Sequence, residues 1–253
     1  MSRVYNHVFQ APDNRDFQFT PSNLSLTSPI VPSSYYITDN PAFASPIYDQ
    51  GNLGSCLANA IKAMMYIVSS GKVDLSRLQL YMCFRAVDGS SLTQDTGGTA
   101  RGGMKAVASY GVCPESIWPY VIKNFARLAP SSAFVTTYKL KNFVYTAVKQ
   151  DIAYLKTSIL ANLPIVAGIV VYTSFESPLA TKYGTIPMPN TKTEQILGGH
   201  AILLVGFDDA SQHFKFQNSW GSAWGGGGCG FIPYAYILNS GLTSDLWNMY
   251  FTV

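Results

Sequence analysis

Between residues 55 and 70, apolar side chains recur at helical spacing at Leu57, Ala60, Ile61, Met64, Met65 and Val68, and Gly71 stands where such a segment would stop. The pattern predicts a buried helix with Cys56 in its first turn. Ser76 is placed to cap a second helix running to about Val87, Thr99 opens a third to Ser109 despite Gly102 and Gly103, and Gln150 to Ala161 reads as a fourth. Beyond that point the pattern changes. Apolar runs at Ile165–Val171, Ala201–Phe207, His213–Gln217 and Leu246–Phe251 are separated by Gly, Asp and Pro, which predicts strands. Helices first and strands later predict an α+β protein in which a helical lobe, about 46–130, faces a β lobe, about 131–253.

Residues 1 to about 45 lack this periodicity. They are rich in Pro, Ser, Asn and Asp, with Pro21, Pro29, Pro32 and Pro41, and read as an extended arm laid over the domain that follows. The start of the chain turns polar before an apolar stretch of signal-peptide length can form, so no standard secretory signal is expected. Cytoplasmic residence and export by a non-standard route both stay open, as does the oligomeric state.

With 47% hydrophobic residues over 253, the chain can bury a substantial core. Charged residues make up 12%, and a net charge of +3 without any Lys or Arg run gives no footprint for nucleic acid or an anionic membrane. The longest apolar runs, Leu163–Tyr172 and Ala201–Phe207, fall far short of the roughly 20 residues that span a bilayer. Cys56, Cys83, Cys113 and Cys229 show neither CxxC nor His-paired spacing, so neither a zinc site nor any other cofactor is expected.

A thiol is a useful nucleophile only as the thiolate, and a helix N-terminus favours that anion. Gly54-Ser55-Cys56 at the start of an apolar helix supplies the placement. Gln50, on the glycine-rich turn upstream, can fold its amide back over the thiol, so that with the Cys56 N–H two donors face a developing oxyanion. The base must be one of His7, His200 and His213. His7 lies in the arm and His213 alternates with Phe214 and Phe216 as a solvent-facing strand residue. His200 follows Gly198-Gly199 at the edge of a buried strand. Asn218, next to Ser219-Trp220-Gly221, could accept a hydrogen bond from one imidazole nitrogen and turn the other toward the thiol, with an indole keeping water away.

Together these stretches resemble the papain family of cysteine peptidases: Gln50-Gly51 through Gly54-Ser55-Cys56, Gly199-His200-Ala201, Val205-Gly206-Phe207, Asn218-Ser219-Trp220-Gly221, Trp224-Gly225 and Gly230-Phe231. His200 follows Cys56 at about 140 residues, within the roughly 130–150 that the family shows. Val112-Cys113-Pro114-Glu115-Ser116, Trp118-Pro119-Tyr120 and Pro233-Tyr234-Ala235-Tyr236-Ile237 further resemble the compact papain-like peptidases of bacteria, archaea and large viruses. The resemblance implies a two-lobe papain-like fold with the cleft between the lobes, and an endopeptidase acting on peptide or protein substrates. It implies Cys56 as nucleophile, His200 as base and then acid, Asn218 as its orienting residue, Gln50 as oxyanion donor and Trp220 as shield. Family substrates lie extended and pair with a glycine, for which Gly97-Gly98 are preferred over Gly102-Gly103. The run Ile165–Val171 would contribute to the pocket for P2, the second residue before the scissile bond, which suggests an apolar or aromatic preference there.

The chain also departs from the family pattern. Leu53 stands where many relatives have a disulfide-forming Cys, Leu57 replaces the Trp after the nucleophile, and Gly199 replaces the Asp before the His, which opens the adjoining wall of the cleft. With Cys56 as nucleophile, three thiols remain; one disulfide is possible, and a reduced protein is favoured. Two other functions stay open, a papain-fold binding protein without catalysis and an acyl transferase. The arm is either a detachable inhibitory prosegment crossing the cleft or a belt packed on a lobe. Its shortness, and the absence of a long charged helix, favour the belt or a partial cover.

Overall fold

The computed structural model describes residues 3–21 and 31–253; the part of the arm that holds Pro29 lies outside the described residues. In chain order the strands and helices are β1 (Ser34–Tyr36), α1 (Cys56–Val68), α2 (Arg77–Val87), α3 (Ala100–Tyr110), α4 (Ser132–Val135), β2 (Lys141–Ala147), α5 (Ile152–Leu160), β3 (Ile165–Tyr172), α6 (Pro178–Tyr183), β4 (Ile196–Asp208), β5 (His213–Gln217), β6 (Cys229–Pro233), α7 (Tyr234–Ile237) and β7 (Thr243–Thr252). Helices α1 to α3 form one lobe, and the sheet dominates the other.

Of the helices of nine residues or more, α2, α3 and α5 start at a residue whose side chain caps them. Ser76 Oγ accepts from the Gln79 N–H at 3.2 Å, Thr99 Oγ1 from the Gly102 N–H at 3.0 Å and Asp151 Oδ1 from the Ala153 N–H at 2.9 Å. Helix α1 is the exception. Its Ser55 hydroxyl contacts the Tyr120 hydroxyl at 2.5 Å and gives no side-chain cap, which leaves the N–H groups of its first turn beside Cys56. Nearly every side chain of α1 is buried, because the helix runs between the lobes and packs against β4.

Antiparallel pairing gives the sheet order β2-β7-β3-β4-β5-β6, with β1 paired to β4 beyond it. Strand β3 buries Ile165, Val166, Ala167, Ile169 and Val171, so it reads as a continuous apolar run. The sequence pattern did not predict β1, β2 or β6. Both β1 and β2 carry exposed residues, and β2 lies at the sheet edge, where half-solvated positions blur the period-two signal. Among the described residues no helix is long and apolar enough to cross a membrane.

Candidate active site

Where α1 meets β4, the Cys56 thiol lies against the backbone N–H of Ala201, directly after His200. His200 is fully buried, its Nε2 bonded to Asn218 Oδ1 at 2.8 Å, while its Nδ1 has no hydrogen-bond partner. Asn218 Oδ1 also accepts from the Ser219 N–H at 2.8 Å, which fixes the carbonyl end of the amide toward the imidazole. The Trp220 ring stacks on the imidazole with centroids 4.8 Å apart and planes 24° from parallel.

Gln50 reaches the site from the opposite lobe. Its backbone N–H donates to Ser219 O at 2.9 Å, and its Oε1 accepts from Ser219 Oγ at 2.6 Å. The side-chain amide is thereby oriented, with Nε2 donating to Leu53 O at 3.0 Å. Ser219 thus ties the Asn218 side of the site to the Gln50 side. The sequence placed it only as a neighbour of Asn218.

The arm crosses this arrangement. Gln50 Nε2 also donates to Val4 O at 3.4 Å; Tyr5 meets His200 edge-on at 6.0 Å, and Arg3 lies 4.1 Å over the Trp220 ring. Asn6 Nδ2 donates to Asp95 O at 2.9 Å. The His7 N–H donates to Gly199 O at 2.9 Å and the Val8 N–H to Gly98 O at 3.1 Å, so a short strand of arm is clamped between the lobes. A Cβ at Gly97 would lie 1.6 Å from Asn6 O and one at Gly199 2.3 Å from His7 O; glycine is what permits this approach. Gly102 and Gly103 lie inside α3, packed against Asp88 and Ile61, away from the strip of arm.

Two features hold the Gly97-Gly98 loop in place, and the sequence did not single out either. The Asp95 carboxylate accepts the Gly54 N–H at 3.0 Å and the Tyr81 hydroxyl, joining this loop to the start of α1. Buried Arg85 donates to the carbonyls of Ser91, Leu92 and Gln94 at 3.3, 3.1 and 2.8 Å and to Phe125 O at 2.8 Å.

Beneath the arm both titratable groups are held neutral. Burial pushes the Cys56 thiol up to about 11, only partly offset by the N–H groups of Ala201, Leu57 and Cys56 itself. Burial likewise pushes the His200 imidazole down to about 4; the Asn218 bond opposes the shift, and the nearby charges of His7 and Arg3 add to it. The sequence predicts a thiol lowered by the helix terminus. In the covered site desolvation outweighs that effect. All four cysteines are unpaired, and among the described residues no group of His, Cys, Asp or Glu is arranged to hold a metal ion.

The chain is similar to known proteins over most of its length. The model of the papain family of cysteine proteases matches residues 31–243. An uncharacterized peptidase C1-like protein of Acanthamoeba polyphaga mimivirus is 35% identical, over 98% of this chain and 86% of its own length. Xylellain, a cysteine protease from Xylella fastidiosa, superposes with a TM-score of 0.87 at 32% identity, covering 98% of this chain and 96% of its own. Procathepsin B from Trypanosoma congolense shares the fold, with a TM-score of 0.71 at 18% identity over 98% of this chain and 85% of its own. The chain belongs to the papain family of cysteine proteases.

Proposed function

We propose that the chain is a latent endopeptidase in which Cys56 is the nucleophile, His200 the general base and acid, Asn218 the residue that orients His200, and Gln50 an oxyanion donor. One observation carries the reading: the Cys56 thiol lies beside β4 at His200, whose Nε2 is held by Asn218 while its Nδ1 stays unpartnered. An imidazole held by one nitrogen has the other free for the thiol proton. Gly97, Gly98 and Gly199 would pair with the substrate backbone as they pair with the arm, and Trp220 would shield the His200–Asn218 bond.

With the arm displaced, the Cys56 proton passes to His200 Nδ1 and the thiolate attacks the peptide carbonyl carbon. The oxyanion is received by the Gln50 Nε2–H and the Cys56 N–H. His200 returns the proton to the leaving amine, and a thioester to Cys56 remains. His200 then takes a proton from water, whose oxygen attacks the thioester carbonyl, and the thiol is released. Uncovering moves one proton from sulfur to nitrogen inside the dyad, so at neutral pH the dyad exchanges none with solvent.

Latency is supported by Val4 taking a Gln50 donor hydrogen and by the clamp at Gly98 and Gly199. A continuous chain running from Arg3 at Trp220 to Gln10 beyond Gly98 supports a cleft open at both ends, as an endopeptidase requires. We place the cover within residues 1–45 and the catalytic domain at 46–253, with its lobes meeting near residue 130. The test is cleavage of an internally quenched peptide, followed alongside intact mass during acid incubation. Activity that grows as the arm is trimmed, and is blocked by a thiol-reactive epoxide adding to Cys56, is the expected result. Full activity from an untrimmed chain would overturn latency, and cleavage that persists after epoxide adds to Cys56 would overturn the nucleophile.

A further inference from the structure

His7 enters a pocket beside the run Ile165–Val171 in which a carboxylate faces its ring. The His7 ring is buried with its Nε2 3.2 Å from Asp245 Oδ2, and Phe9 closes over it edge-on at 5.0 Å. Gly168 interrupts the apolar side chains of β3 at this point. A Cβ there would lie 2.2 Å from His7 Nε2, so the missing side chain makes the space that the imidazole fills. Opposite it, β7 carries one extra residue: Val166 pairs with Trp247 but Gly168 with Ser244. At this bulge Asp245 adopts φ 54°, a left-handed conformation that is strained for a residue with a side chain. The bulge aims a carboxylate into the gap left by Gly168.

Three donors serve that carboxylate, and two belong to the arm. His7 Nε2 and the Gln10 N–H, at 3.2 and 3.3 Å, would leave with it, and only Ser244 Oγ at 3.4 Å would remain. A sequestered carboxylate stripped of its donors favours a cation in their place. Whatever extended peptide pairs with the backbone of Gly98, as the arm does, presents a side chain at the position of His7.

We propose that this pocket is a specificity site for basic side chains, with Asp245 as the determinant, and that His7 occupies it as a surrogate for the substrate's Lys or Arg. Resting on the peptidase reading above, the proposal names the substrate class: peptides with a basic residue at the position that pairs with Gly98.

The test uses the full chain carrying His7→Ala, which empties the pocket, and adds Cys56→Ala so that binding is measured without turnover. Affinities of blocked tripeptides differing only in Arg, Lys, Leu or Phe at the position paired with Gly98 are read by calorimetry. Competition from the tethered arm affects every peptide alike and cancels in the ratios. Arg and Lys peptides binding at least tenfold tighter than the Leu peptide, with the difference lost in Asp245→Asn, is the expected result. Asn is at ease at positive φ, so that variant keeps the bulge. Equal affinities, or tighter binding of Leu and Phe, would overturn the proposal and assign neutralisation of Asp245 to Arg101, which the arm's Asp16 now holds at 2.6 Å. Cleavage of the same peptides by the variant with Cys56 intact and its arm trimmed is scored separately. Arg-selective binding without cleavage would sustain the basic pocket and sink the peptidase reading.

Discussion

The covered and uncovered states differ most measurably in the ionisation of Cys56. With burial pushing the thiol up to about 11, only about one molecule in 10⁴ carries a thiolate at pH 7. Below that pKa each unit of pH multiplies the thiolate tenfold, so the alkylation rate of the intact chain should climb about tenfold per pH unit from 6 to 10. Once the arm is gone, an imidazolium partner at a helix N-terminus brings such a thiol to roughly 3.5–7.5. The rate should then be nearly flat above neutral pH. The gain at pH 7 is smaller than the change in thiolate population, because nucleophilicity falls by about 0.4–0.5 log units per unit of pKa. A drop of about six units raises the thiolate population by about 10⁴ and lowers its reactivity by about 250- to 1000-fold, leaving a net gain of about 10- to 40-fold before any relief of steric exclusion. The arm can be nicked at Arg15, whose side chain is 89% exposed. Iodoacetamide labelling read at the Cys56 peptide by mass spectrometry separates its signal from those of Cys83, Cys113 and Cys229. A flat profile from pH 6 upward in the intact chain would refute the argument, since the ion pair would then exist beneath the cover.

Gln50→Ala should lower kcat about 10²-fold with Cys56 alkylation of the uncovered protein unchanged, whereas Ser219→Ala, which only frees the Gln50 amide to rotate, should cost nearer tenfold; steady-state kinetics on one peptide compares them. Asn218→Ala removes a hydrogen bond that matters most once the imidazole is charged, so kcat/KM should fall about 10- to 150-fold and the alkylation rate of the uncovered thiol should become pH-dependent near neutrality. Arg85→Ala strands several buried carbonyls and should destabilise the fold by about 3–5 kcal/mol in a denaturant titration; because the Gly97-Gly98 loop loosens with it, KM should rise more than kcat falls.

Local signals carried much of this architecture. Ser76 and Thr99 announced their helices through their own hydroxyls, and the apolar runs of β3 and β4 predicted buried strands, because cap chemistry and burial act over a few residues. Cys56, His200, Asn218 and Gln50 could be named because each sits in a short stretch resembling the family. His7 is the instructive omission. Among the three histidines it is the one in the arm, yet its ring is buried in the cleft against Asp245 and its backbone N–H is held by Gly199 O, partners that are distant in sequence. Asp245 itself lies just outside the run Leu246–Phe251, and its importance comes from a bulge that no periodicity records. The raised Cys56 thiol has the same origin: the helix terminus is visible in the sequence, but the cover that removes its water is a tertiary contact.

The central claim is that Cys56 performs the chemistry with His200 as its base. Turnover of one fluorogenic peptide should be measured for the uncovered wild-type, Cys56→Ala and His200→Ala proteins, each first confirmed as folded by its thermal transition. Both variants should fall to background, and Cys56 in the His200→Ala protein should alkylate with a rate that rises through an ordinary thiol pKa near 8.5. Undiminished turnover in Cys56→Ala, or a thiol whose pH profile is unchanged by loss of His200, would contradict the account.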